Sequence, residues 1–77
     1  MDIEKTIIEV IKNNLFIEEI TETNIPLMDL PNADSLTHVI IIREIEEELS
    51  IEFSFDELME IELLSDLIKI SKKKVIE

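Results

Sequence analysis

Between Ser35 and Leu49 apolar residues recur at helical spacing. Leu36, Val39, Ile42, Ile45 and Leu49 make one stripe, Ile41 widens it, and Ile40 widens it beyond what a simple surface helix needs. A repeat of three and four residues buries a continuous face only as an α-helix, so this segment is predicted as one helix with the rest of the fold packed against it. Its end, Glu46-Glu47-Glu48, places negative charge where the helix dipole disfavours it. A local rule broken without a gain in stability points to function or to simple solvation.

The flanking segments supply the partners. Asp2 is placed to cap a first helix whose apolar face is Ile3, Ile7, Val10, Ile11 and Leu15, with Asn13-Asn14 as its expected stop. Leu15-Phe16-Ile17 is expected to tuck under the loop that follows. Residues 18–34 have no helical period and hold both prolines, Pro26 and Pro31. Their apolar members Ile20, Ile25, Leu27, Met28 and Leu30 predict a loop that is packed rather than free. Ser54-Phe55-Asp56-Glu57 has the pattern of a capping box, which predicts a short helix over about 55–61. Ser65 is placed to cap a last helix bearing Leu67, Ile68 and Ile70. Lys72-Lys73-Lys74 complements the dipole at its end, and Val75-Ile76-Glu77 is expected to fray. The expected fold is all-α: a four-helix bundle with a short third helix and a long first loop, forming a single domain over 1–77.

Composition narrows the function. With 19 acidic and 7 basic residues the net charge is −12, a surface that repels nucleic-acid phosphates and attracts basic protein partners. There is no cysteine, so disulfides and thiolate metal sites are excluded and the chain suits a reducing cytoplasm, its expected location. No apolar run is long enough to cross a bilayer, no basic-then-apolar leader opens the chain, and the protein is expected to be a monomer free of membrane. The carboxylates show no calcium-loop pattern, which needs a glycine at its turn, and no metal site is expected.

Asp34-Ser35-Leu36 stands at the junction of the long loop and the patterned helix. A serine there presents a hydroxyl beside a carboxylate near a helix N-terminus, where an anion is favoured. Alone, Ser35 is a poor nucleophile or an ordinary helix cap. His38 follows one turn later and reads more simply as an exposed helix residue than as a base. With no glycine in the chain, a nucleophile elbow and a tight oxyanion loop are unavailable, so a hydrolase is not expected.

From Asn32 through Asp34-Ser35-Leu36, the acidic helix end and Ile51-Glu52-Phe53, the chain resembles acyl carrier proteins, the phosphopantetheine-binding carriers, over a span from the first helix to about Ile70. The resemblance implies that Ser35 bears 4'-phosphopantetheine delivered from coenzyme A, that Asp34 supports the modification, and that the chain is a carrier, not an enzyme. It implies as partners a phosphopantetheinyl transferase, an acyl- or aminoacyl-loading ligase or transferase, and synthase enzymes. The expected partner face is Leu36, Val39, Ile40, Arg43, Glu44 and Glu47. The chain departs from the fatty-acid carriers in having Thr37 and Ile40 where acidic residues are common, Arg43 at a usually uncharged place, Pro31-Asn32-Ala33 before the motif, and Ser50 after the helix. These departures favour a specialised carrier in fatty-acid- or polyketide-like biosynthesis. The alternatives are an aminoacyl or peptidyl carrier for a peptide-synthetase or aminoacyl-ligation pathway, and an acidic interaction module without a prosthetic group.

Overall fold

The computed structural model describes residues 2–76. It holds four α-helices, α1 Ile3–Leu15, α2 Ser35–Leu49, α3 Phe55–Glu60 and α4 Leu64–Ile76, with a single 3-10 turn at Leu27–Asp29 in the long loop. The all-α bundle with a short third helix and a long first loop is thus as anticipated. Among the described residues there is no strand, only one isolated bridge between Pro26 and Leu63.

The helices pack through the faces that their periodicity supplies. Ile7, Val10, Ile11 and Leu15 of α1 meet Ile41, Ile42, Ile45 and Leu49 of α2 and Leu64, Leu67 and Ile68 of α4. Leu27 and Leu30 of the loop, with Phe53 and Ile61 around α3, close the core. The six residues of α3 include no buried side chain. That helix is held by its ends: the Phe53 N–H donates to Glu46 Oε2 at 2.8 Å, and Lys74 Nζ donates to Glu57 Oε1 at 2.9 Å. The Ser54–Glu57 capping box forms as its sequence requires.

Four helix ends differ from the sequence reading. Asn13-Asn14 does not stop α1. The helix runs to Leu15, and Phe16 takes the left-handed cap position at φ 56°, which leaves its ring exposed instead of under the loop. Asn14 lies inside the helix and uses its amide to donate to the Val10 carbonyl at 2.8 Å and to Glu44 Oε1 at 3.1 Å. α3 ends at Glu60, one residue early, because Ile61 turns extended and buries its side chain. Ser65 does not cap α4. The helix begins at Leu64, and Asp66 in its first turn reaches back to accept from the N–H groups of Leu63 at 2.9 Å and Glu62 at 3.2 Å. A carboxylate satisfies these orphan donors better than a hydroxyl. α4 continues through Ile76, so Val75 and Ile76 are helical, while Glu77 lies outside the described residues.

A chain without glycine must place other residues wherever φ is positive, and Phe16, Asn32 and Ser50 do so. Ser50 ends α2 at φ 56°, ψ 47°, with its N–H bonded to the Glu46 carbonyl. A left-handed conformation costs a residue with a β-carbon about 1 kcal/mol, which glycine does not incur. Ser50→Gly is therefore expected to raise stability by about that amount, equivalent to about 4–8 °C in melting temperature for a domain of this size. Thermal unfolding monitored by circular dichroism checks it, and an unchanged midpoint would mean that the turn carries no strain.

Candidate functional site: the start of α2

The approach to α2 is built by a turn. Ala33 N–H bonds to the Leu30 carbonyl at 3.1 Å, with Pro31 and Asn32 between them and Asn32 at φ 68°. Proline followed by a residue with positive φ is the pattern of a type II turn, and asparagine is the non-glycine residue that tolerates it best. The Asn32 amide also donates to the Leu15 carbonyl at 2.7 Å, tying the turn to the end of α1.

Asp34 is the N-cap of α2. Its Oδ1 accepts from Thr37 N–H at 2.8 Å and lies 3.0 Å from Thr37 Oγ1, which in turn accepts from Asp34 N–H at 2.9 Å. This reciprocal box holds the Asp34 carboxyl below the usual carboxylate range, chiefly through the Thr37 N–H and then its hydroxyl, against a small opposing effect of burial. None of the hydrogen bonds that cap the helix uses the Ser35 hydroxyl. Ser35 occupies the first helical position, exposed, with its backbone supplied by a neighbour's cap. The ordinary reading of Ser35 as the cap is thereby replaced: Asp34 caps, and the Ser35 hydroxyl takes no part in it.

The loop is stitched to the junction of α3 and α4 by Leu27 N–H to the Glu62 carbonyl at 3.0 Å, Leu64 N–H to Ile25 at 2.9 Å and Ser65 N–H to Thr23 at 2.7 Å. This brings Met28, Ile61 and Glu62 opposite Ser35, His38 and Val39, around a hollow of about 520 Å³ with largely apolar walls. The space beneath it, between Leu15, Leu30, Ile41 and Ile42, amounts to about 10 Å³, so the hollow is open to solvent and does not continue into the core. His38 is half-buried along this wall, not exposed as its sequence position suggested. No hydrogen bond joins it to Ser35 among the described residues.

The helix period divides the wide apolar stripe of α2 in two. Ile41, Ile42, Ile45 and Leu49 face the core, whereas Leu36 and Val39, which the sequence pattern also placed in the stripe, are 70% and 57% exposed. Together with Ile40, Arg43 and Glu47 they cover the outer face, since each residue advances about 100°. Arg43 has only a long 3.9 Å ion pair with Glu46. Glu44 does not join this group: it turns toward α1, half-buried, and accepts from Asn14. Sequence reasoning missed Met28, Ile61 and Glu62, which reach the site through the loop stitch, and Leu58, which closes a smaller hollow of about 230 Å³ with Val39, Ile42 and Arg43. The exposed Phe55 and Met59 on α3 extend the outer apolar face. The signal for these was the shortness of α3, which cannot bury all of its apolar residues.

Acid should weaken both caps. The Glu57 carboxyl is likewise lowered, first by the Ser54 N–H and then by Lys74. A carboxylate whose folded pKa is depressed contributes stability above its unfolded pKa and loses it as pH falls through the folded value. At neutral pH both contributions are complete, and they should disappear below the usual carboxylate range. Asp34→Ala and Glu57→Gln are expected to melt lower than the parent at pH 7 and to converge with it in strong acid. A gap that persists in acid would show that ionisation is not what these caps contribute.

Among the described residues no three His, Cys, Asp or Glu side chains are grouped to hold a metal, and no helix is long and apolar enough to cross a membrane. The family model described as "Phosphopantetheine attachment site" matches residues 5–70. No curated protein and no solved structure matches the chain.

Proposed function

The chain belongs to the carrier family defined by a phosphopantetheine attachment site, and on that premise we propose that Ser35 is the residue that bears the arm. Members are non-catalytic carriers: the protein holds a 4'-phosphopantetheine prosthetic group and meets a phosphopantetheinyl transferase and loading enzymes. The observation that supports Ser35 is its freedom from the cap. Its hydroxyl is exposed at the first position of a 15-residue helix while Asp34 and Thr37 satisfy the backbone around it. The residues fit the group. A phosphodiester on Ser35 would lie at the positive end of α2, and the apolar hollow of about 520 Å³ begins at that serine. The arm supplies a thiol to a chain with no cysteine.

In this reading Asp34 supports modification by fixing the helix start and keeping an ionised carboxylate beside Ser35. The unit over 1–77 acts as one carrier domain. Leu36, Val39, Ile40, Arg43 and Glu47 form the face that its enzymes grip, with Glu44 at its border. The apolar walls beside Ser35 and the apolar outer face of α2 favour acyl cargo, as in a specialised carrier of fatty-acid- or polyketide-like biosynthesis. The test is the intact mass after incubation with coenzyme A and a phosphopantetheinyl transferase. One added phosphopantetheine, mapped to the peptide containing Ser35, is expected, and attachment elsewhere would overturn the assignment.

A further inference from the structure

Four of the chain's seven basic residues, Lys69, Lys72, Lys73 and Lys74, stand within six positions of α4, and no acidic residue lies between Leu67 and Ile76. In a protein of net charge −12 this is a separate basic pole. Lysines at a helix C-terminus complement its dipole, but only Lys73 and Lys74 lie in the last turn, and Lys74 is already engaged by Glu57. Lys69, Lys72 and Lys73 are exposed: Lys69 and Lys73 stand opposite the buried Leu64, Leu67, Ile68 and Ser71, and Lys72 flanks them. None of the three forms an ion pair among the described residues.

α4 starts at the junction that walls the hollow beside Ser35, and Lys69, Lys72 and Lys73 lie about 8–14 Å along it from Leu64. Its far end is fixed by the Lys74–Glu57 bond to α3, and α3 follows the loop that Glu46 holds at the end of α2. The hollow that borders these lysines shares no lining residue with the hollow beside Ser35.

We propose that this pole docks an acidic segment of a partner protein, independently of the face around Ser35. The surface itself selects that occupant. Lys69 and Lys73 border a hollow of about 390 Å³ whose other walls are Ile70, Glu60 and Asp66. The lysines are placed for carboxylates, and Ile70 offers an apolar floor to a side chain between them. The Asp66 carboxylate is taken up by the Glu62 and Leu63 N–H groups, which leaves Glu60 as the acid a ligand meets; a short segment can space its carboxylates away from Glu60, whereas an unbroken run of phosphates cannot and a flat bilayer cannot enter a hollow. A second copy of the chain would bring a further net charge of −12, a far larger long-range repulsion than a short segment with a few carboxylates meets.

The test is nuclear magnetic resonance of the labelled full chain at physiological salt, where the overall repulsion is screened, titrated with a synthetic peptide alternating glutamate and leucine. Amide shifts are expected at Lys69, Ile70, Lys72 and Lys73, with those of Ser35 and Val39 unmoved. Lys69→Gln combined with Lys72→Gln and Lys73→Gln should weaken binding about tenfold or more, as exposed charge contacts are lost together. Lys5→Gln with Lys12→Gln, which lowers the total charge elsewhere, should leave it near the parent value. Ser35→Ala should also bind like the parent, which separates this result from the fate of the attachment assignment. Absence of shifts on α4, equal weakening by the control pair, or binding to phosphatidylglycerol vesicles in preference to the peptide would each overturn the proposal.

Discussion

Ser35→Ala is expected to remain at its unmodified mass after incubation with coenzyme A and a phosphopantetheinyl transferase, whereas the parent chain gains one phosphopantetheine. The expected loss is complete, because without the Ser35 hydroxyl no oxygen at that position can attack the phosphorus. The structure makes this a clean experiment. The start of α2 rests on the Asp34–Thr37 box, and Ser35 takes no part in it. Alanine is also the better residue inside a helix. The variant should therefore keep its helical circular dichroism and its melting temperature. Asp34→Ala is the informative contrast: it removes the cap and the neighbouring carboxylate while leaving the hydroxyl, so it should slow modification and lower the melting temperature together. Modification of Ser35→Ala at the parent rate would place the arm on another residue. A variant that unfolds would show that Ser35 holds the helix after all.

That separation of the cap from the proposed attachment residue was only half legible in the sequence. The bounds of α2, Ser35 to Leu49, follow directly from the apolar period and the residue before it, and its left-handed end at Ser50 follows from where the period stops. What the pattern could not assign was which of two adjacent polar residues takes the backbone N–H, since Asp34 and Ser35 are both good caps. Thr37 decides it by closing the box with Asp34. The end of α1 was misread for a related reason. Asn13-Asn14 is a common stop locally, but the Asn14 amide finds Glu44 on α2, a tertiary contact that the local sequence does not contain. The hollow beside Ser35 is of the same kind. Its walls come from residues more than thirty positions apart, joined by backbone bonds between the long loop and the start of α4, and backbone bonds leave no trace in side-chain periodicity.

Two substitutions on α2, five residues and about 140° apart around the helix, should have opposite consequences. Ile45 is fully buried between α1 and α2. Ile45→Ala removes methyl and methylene groups and leaves a cavity that the close-packed aliphatic core can only partly refill, a loss of about 2–5 kcal/mol. Against the ~5–15 kcal/mol that holds a small domain folded, that is enough to lower the melting temperature by more than 10 °C and to populate unfolded chains. Ile40 is 43% exposed on the outer face, between Leu36 and Arg43. Ile40→Glu should leave the melting temperature within a few degrees of the parent, because it empties no cavity and buries no charge. Its effect should appear in transfer: loading by the native partner weakens, since a carboxylate replaces an apolar contact beside Arg43. Thermal unfolding and acyl loading measured on both variants decide the matter. If Ile40→Glu melts as early as Ile45→Ala, the outer face is part of the core. If it folds and loads like the parent with its native enzymes, Ile40 does not belong to the surface they grip, and the apolar width of α2 must serve something other than recognition.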